Sequence, residues 1–419
     1  MSILTSLTRA WLTKTTKPFH FYSGGSATLP YRDTPGMGLY VHIPFCRSIC
    51  SFCPYCKVLY DETLAKRYLQ ALLAEIDLVG QNIEGEKKEV TSLYFGGGSP
   101  ALMAQDMQSI VQRLKRYFII TEGIGLELHP KDCTTERLQQ LKEAGVSKIS
   151  IGVQSFQPEI LKLLGRKSVA YEKMFEAINQ AGFETVSADF IFALPGQTIE
   201  SLKEDIELAF AHGANHFAMY PFIDFTFTER KFRRRKEKEK KHLLYEIVQY
   251  CEKQGYLRDS IWTFSKTGNS RYSSMTRDNF LGFGCSATTL LERQFKINTF
   301  DVGAYIEKIQ QGKIATALTL DFTLRQRMVY YLFWTLYSME LREEDFEKAF
   351  GKTLSSQYGL EMKLAKRLKF VTQEEGGYHL TTKGSYYFHY YENFYTLSYI
   401  DQMWGLMHKE AFPSELIIR

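Results

Sequence analysis

Two hydrophobic rhythms alternate along the first three hundred residues, and the alternation then stops. Short apolar runs at residues 38–43, 90–95, 126–128, 148–151, 186–192 and 216–220 read as buried strands. Longer stretches with apolar residues three and four apart lie between them. In the first, Asp61 is placed to cap a helix whose Leu64, Tyr68, Leu72 and Ile76 share one face. Residues 134–144 and 199–211 repeat that pattern, and another helix is expected to run to about residue 118. Six alternations predict a parallel sheet, because parallel neighbours need crossovers of this length. Consecutive units of this kind curve into an open α/β barrel, whose ligand site lies at the carboxyl ends of the strands.

From about residue 321 the pattern is helical, at 323–339, 343–350 and 355–368, followed by a hairpin of 370–372 with 378–380 across Gly376-Gly377. A small helical, winged-helix-like domain is expected there. Residues 1–37 carry Ser23-Gly24-Gly25-Ser26, Pro30 and Pro35-Gly36 and read as an irregular arm with turns. The expected division is an arm at 1–37, a barrel at 38–300 and a C-terminal helical domain at 301–419.

With 419 residues, 44% hydrophobic and 24% charged, the chain has ample material for a large core. No run approaches the roughly 20 apolar residues a bilayer requires, and Met1-Ser2-Ile3-Leu4 does not open a secretory signal. The net charge of +5 is small for this length and would suit a ligand bearing carboxylates. Arg230, Lys231, Arg233, Arg234, Arg235 and Lys236 form a basic run that Glu237 and Glu239 interrupt, and Leu243, Leu244, Ile247 and Val248 continue it as a helix face. A solvated helix is the first reading of that run, and a contact for acidic substrate groups the second.

Of seven cysteines, four fall within residues 46–56. That usage fits a reducing compartment, so a cytoplasmic location is expected, with Cys133, Cys251 and Cys285 as buried free thiols. Cys46, Cys50 and Cys53 are spaced C-x3-C-x2-C directly after the first barrel strand. Three thiolates on one short loop can converge on three irons of a cubane cluster, which leaves the fourth iron open for chemistry. Structural zinc would want a second separated pair, and no Cys-x2-Cys or His-x3-His follows. Cys56 is left out of the ligand set, since a fourth thiolate would occupy the open iron. Gly96-Gly97-Gly98-Ser99 follows the second strand, where bare backbone can approach a carboxylate.

The loop ending Cys50-Ser51-Phe52-Cys53 resembles the signature of the radical S-adenosylmethionine (SAM) enzymes. The preceding Tyr40-Val41-His42-Ile43-Pro44-Phe45-Cys46 is similar to one branch, the oxygen-independent coproporphyrinogen III oxidases, which includes haem chaperones and anaerobic haem-degrading relatives. Further matches are Glu127-Leu128-His129-Pro130, Gly152-Val153-Gln154-Ser155-Phe156, Gly165-Arg166, Asp189 before Leu194-Pro195-Gly196-Gln197-Thr198, and the glycine motif at 279–287. The resemblance spans roughly residues 38–300. It implies an open (β/α)6 radical SAM barrel whose 4Fe-4S cluster is held by Cys46, Cys50 and Cys53, with SAM on the open iron. It further implies that Tyr40, Phe52, Gly97, Gly98, Ser99, Glu127, Gln154, Arg166, Asp189 and Thr288 line one or two SAM sites. Catalytic residues stay unassigned.

The activity implied is oxidative decarboxylation of coproporphyrinogen III propionates to vinyl groups, with an external electron donor such as flavodoxin or ferredoxin. Two alternatives stay open: an anaerobic haem-modifying or haem-degrading methyltransferase, and a non-catalytic haem chaperone. Haem chaperones of the branch carry His-Asn-x-x-Tyr-Trp where this chain has Gly268-Asn269-Ser270-Arg271-Tyr272-Ser273, so an axial imidazole is missing. Lys363, Lys366, Arg367 and Lys369 would sit on a candidate recognition helix, yet the family ends in such a domain without nucleic-acid function, and no nucleic-acid partner is expected. The aromatic tail at 386–404 is expected to pack.

Overall fold

In the computed structural model, which describes residues 3–24, 29–81, 86–229, 232, 235–266 and 278–418, the six apolar runs form six parallel strands. Numbered after β1 (Phe19–Ser23) in the N-terminal arm, they are β2 (Met37–Ile43), β3 (Leu93–Gly97), β4 (Ile124–Leu128), β5 (Lys148–Gln154), β6 (Thr185–Phe192) and β7 (His216–Pro221). They neighbour one another in chain order, in registers such as Leu39↔Leu93, Leu126↔Ile149 and Ser187↔His216. Helices α1 (Glu62–Gly80), α2 (Ala104–Leu114), α3 (Thr135–Glu143), α4 (Tyr171–Ala181) and α5 (Ile199–Ala211) make the crossovers. The Asp61 side chain accepts the Leu64 N–H at 2.8 Å, and Tyr68, Leu72 and Ile76 are buried, as the periodicity predicts.

The sheet does not close. Beyond β2 it continues through parallel β8 (Asn279–Phe283) into an antiparallel run of β9 (Thr288–Leu291), β10 (Gln294–Asn298) and β11 (Thr316–Asp321). The edge is built by β1 and by β12 (Glu415–Ile418), which pair as Phe19↔Ile418. The N-terminal arm is therefore not irregular, as its turn residues suggested: it holds a helix, Ile3–Thr13, and the strand β1. Its ladder partners β11 and β12 are distant in the chain, and local pattern does not report them.

The C-terminal region contains helices Leu324–Tyr337, Glu343–Phe350 and Leu354–Arg367, and the hairpin Val371–Glu374 with Gly377–Leu380 gains a third strand, Glu340–Arg342. Among the described residues no helix is long and apolar enough to cross a membrane. The Gly268–Ser273 segment and Arg230, Lys231, Arg233 and Arg234 lie outside the described residues.

A buried carboxyl ties the first barrel helix to the sheet extension. Glu75 of α1 accepts hydrogen bonds from the Gly284 N–H (2.6 Å), Asn298 Nδ2 (3.1 Å) and the Tyr305 hydroxyl (2.8 Å), the last on α6 (Val302–Gln310). Two turns earlier on the same helix, the Tyr68 hydroxyl donates to the His42 carbonyl at 2.7 Å and accepts from the Cys285 N–H at 3.1 Å. Burial pushes the Glu75 carboxyl from 4.5 up to about 7, against the opposing pull of its hydrogen bonds.

A carboxyl that holds its proton more tightly when folded stabilises the fold fully below its unfolded value, and that contribution is lost as pH rises through about 7. Urea denaturation of the metal-free protein at a series of pH values should show this loss, roughly 3 kcal/mol. Glu75→Gln should flatten the profile in that window relative to wild type, whereas an unchanged slope would exclude Glu75 as its source.

Candidate functional site

The loop that leaves β2 is strapped at its base by backbone bonds. The Ile43 carbonyl accepts the Gly98 N–H at 2.8 Å, and the Phe45 carbonyl accepts the Ser99 N–H at 2.7 Å. Phe45 is buried and meets Tyr68 edge-on at 5.5 Å. Above this base Cys46, Cys50 and Cys53 are partly exposed, and the Cys53 N–H bonds the Cys50 carbonyl at 3.3 Å. Burial pushes the Cys46 thiol up to about 12, and the neighbouring Cys53 and Cys50 add to it. Burial also pushes the Cys53 thiol up, and with Cys50 these residues offer three sulfur donors on one loop, a set that fits an iron–sulfur cluster by donor chemistry.

The glycine run is shaped by close approach. Gly97 has φ +115°, and a Cβ there would lie 2.6 Å from the His42 ring. At Gly98 a Cβ would lie 2.4 Å from the Phe45 carbonyl oxygen and 3.0 Å from Cys46 Sγ. No side chain fits between this run and the cysteine loop. Asp132, just past β4, holds both segments: it accepts from Arg47 Nε at 2.5 Å, from the Ser99 hydroxyl at 2.6 Å and from Arg137 at 3.1 Å.

The remaining expected residues stand mostly at the ends of successive strands. Glu127 of β4 accepts the Gly97 N–H at 3.0 Å and the Tyr94 hydroxyl at 3.4 Å, and its carboxyl is raised chiefly by burial. Gln154 ends β5 in the left-handed region at φ +70°, a conformation that costs a non-glycine residue on the order of 1–3 kcal/mol. Arg166 donates to the Gly152 carbonyl at 2.5 Å, and its guanidinium lies 5.8 Å from the centre of the Phe52 ring. Asp189 of β6 accepts from Ser150 (2.6 Å) and Ser187 (3.1 Å); burial carries its carboxyl up to about 7, and the nearby Glu127 charge adds to the rise. The Tyr40 hydroxyl meets His42 Nδ1 at 3.0 Å, and Tyr40 Cε2 comes within 3.0 Å of where a Gly96 Cβ would lie. Thr288 stands apart from this set: it begins β9, paired with Ile297.

Sequence reasoning missed Asp132 and the closing role of the C-terminus. The aromatic tail does pack: Phe388 and Tyr395 lie against Phe333 and Tyr399 against Phe19, while its last residues pack on the cysteine loop. In α7 (Asp401–Met407) the Trp404 ring lies 5.6 Å from Tyr55, and His408 Nε2 meets the Pro54 carbonyl at 3.0 Å. Asp401 anchors this helix by accepting from the Thr226 N–H and hydroxyl, both at 2.7 Å, in the loop after β7. The one signal for Asp132 was an acidic residue in the short loop that follows a barrel strand. Arg235 of the basic run is engaged elsewhere: it bonds the Leu194 carbonyl at 2.9 Å and the Gln197 carbonyl.

Residues 40–209 match the model of the Radical SAM superfamily. The chain is 27% identical over 366 residues to the "Heme chaperone HemW" of Bacillus subtilis, covering 82% of this chain and 95% of that protein. It is 26% identical over 347 residues to the "Oxygen-independent coproporphyrinogen III oxidase" of Paracoccus denitrificans, covering 75% of this chain and 76% of that one. In three dimensions it resembles coproporphyrinogen III oxidase (HemN) from Escherichia coli, with a TM-score of 0.74 at 22% identity, over 88% of this chain and 93% of that one.

The Asp132 network generates an asymmetric expectation, because the Asp132 side chain is 1% exposed and that of Arg47 is 46% exposed. Asp132→Ala should cost roughly 2–4 kcal/mol in denaturant unfolding of the metal-free protein, since it unties three donors at once. Arg47→Ala leaves Arg137 and Ser99 on Asp132 and should cost about 1 kcal/mol or less. Equal costs for the two variants would contradict this account.

Proposed function

We propose that this chain, a radical SAM protein, acts on a tetrapyrrole, and that it converts propionate side chains of coproporphyrinogen III to vinyl groups by oxidative decarboxylation. The observation that carries the reading is spatial: a three-cysteine loop at the end of β2 lies against a glycine run at the end of β3, with Glu127, Gln154 and Asp189 on the next three strands. In this reading residues 38–300 form the catalytic barrel and 301–419 cover it. Both the oxidase and the chaperone relatives are named for tetrapyrrole work, which supports the substrate class.

Cys46, Cys50 and Cys53 would hold the 4Fe-4S cluster. With SAM bound, that group supplies an organic radical that removes a hydrogen atom from the substrate. The protein's own part is placement. The backbone of Gly97 and Gly98 is bare enough for SAM's amino-acid end to approach, and Ser99 is fixed by Asp132. Glu127 and Asp189, their carboxyls raised by burial, present hydrogen-bonding groups to bound SAM inside the barrel. Phe52 and Arg166 pack as a wall, and Tyr40 completes the floor. The α7 helix, with Trp404 and His408 on the loop, shields the site from water. An external reductant such as flavodoxin or ferredoxin would supply electrons.

The chaperone likeness supports a second reading, a haem carrier with the same fold. Gly268 in place of the motif's histidine weighs against it. To separate the two, the protein is reconstituted with iron and sulfide without oxygen, reduced and given SAM, and 5'-deoxyadenosine is measured with and without coproporphyrinogen III. The oxidase reading predicts substrate-dependent nucleoside and a tetrapyrrole product lighter by carbon dioxide and two hydrogens for each propionate converted, both reduced to background in Cys50→Ala. Stoichiometric haem binding without either product would replace the oxidase by the carrier.

A further inference from the structure

The fourth cysteine of the loop does not face the other three. Cys56 turns into the core, is buried, and lies 3.8 Å, sulfur to sulfur, from Cys285, which follows β8 and is also buried. Buried His42 completes the group: the ligand atoms of all three residues lie within 4.8 Å of one another. His42 Nε2 donates to the Cys56 carbonyl at 3.0 Å, and Nδ1 meets the Tyr40 hydroxyl at 3.0 Å. The Cys56 thiol donates to the Phe300 carbonyl at 3.0 Å.

The sulfur separation is informative. A disulfide needs sulfurs about 2.05 Å apart, whereas two thiolates on one tetrahedral ion, each with a bond of about 2.3 Å, sit about 3.8 Å apart. We propose that Cys56, Cys285 and His42 form a second metal site, distinct from the cluster cysteines, for a thiophilic closed-shell cation, Zn2+ or Cu+. Two sulfurs and one imidazole are donors that select such ions over oxygen-seeking ones. Binding releases the two thiol protons and frees His42 Nε2 from the Cys56 carbonyl. The ring proton moves to Nδ1, and this N–H then donates a hydrogen bond to the Tyr40 hydroxyl oxygen, the partner that a metal-bound imidazole ordinarily needs. An ion here would clamp the end of the cysteine loop to the β8 turn that Glu75 and Tyr68 already hold. The inference does not depend on the substrate.

To test it, the iron–sulfur protein is incubated anaerobically with Zn2+ alone or with Cu+ alone, desalted, and its metals counted. About one zinc or copper per chain is expected beyond the iron. Cys285→Ala should lose that ion and keep its iron, and a variant with Cys46, Cys50 and Cys53 all changed to Ala should keep the ion and lose its iron. Equal retention by wild type and Cys285→Ala, no retention of either ion by wild type, or a Cys56–Cys285 disulfide seen by mass would each overturn the proposal. Should Cys285→Ala also lose iron, X-ray absorption of the loaded wild type decides. Two sulfurs at about 2.3 Å with a nitrogen at about 2.0 Å uphold the site, and an oxygen-only or four-sulfur shell overturns it.

Discussion

The contact between Gly98 and the base of the cysteine loop is the constraint on which the rest of the site depends. With backbone oxygen and the Cys46 sulfur so close to the place a Cβ would take, the loop after β2 and the run after β3 can meet only where a residue lacks a side chain. That contact sets Cys46 Sγ, on the three-cysteine loop, against the bare glycine run at the end of β3. Asp132 then fixes the pair from below through Arg47 and Ser99, and the Phe45 and Ile43 carbonyls close the backbone around it. The parallel sheet matters to function because it delivers these loops, in order, to the same edge.

Much of this was legible in the sequence, and the part that was not has a common physical cause. The six strands and their crossovers announce themselves through local periodicity, and the cysteine spacing and the glycine triplet are themselves local. What escaped is set by partners far away in the chain. The strand β1 exists because β11 and β12, about three and four hundred residues later, supply its hydrogen bonds. The same holds for Cys56, an anomaly of spacing until Cys285 is seen beside it, and for the aromatic tail, whose composition predicts packing without naming its target. Asp132 followed a strand end as a single acidic residue, and nothing nearby in sequence told that three donors would converge on it.

The electrostatics of the interior follow a related logic. Glu75, Glu127 and Asp189 are carboxyls placed where burial favours their protonated forms, and each is offset by donated hydrogen bonds. Glu75 spends those bonds on joining helix to sheet, away from the strand ends. Glu127 and Asp189 stand on strands to either side of β5, and the Glu127 charge adds to the rise at Asp189, so its protonation will respond to whatever charge is bound nearby. The helix carrying Trp404 covers the same mouth from outside, so the C-terminal region shapes the site as directly as the barrel does.

The central claim is that three cysteines leave one iron of the cluster open to SAM. The most direct measurement is the electron paramagnetic resonance spectrum of the reduced cluster, recorded before and after SAM is added. The account predicts a changed signal on addition of SAM, because a new ligand then occupies the open iron. An unaltered spectrum from a fully reduced, intact cluster would mean that the fourth iron is closed, and would contradict it.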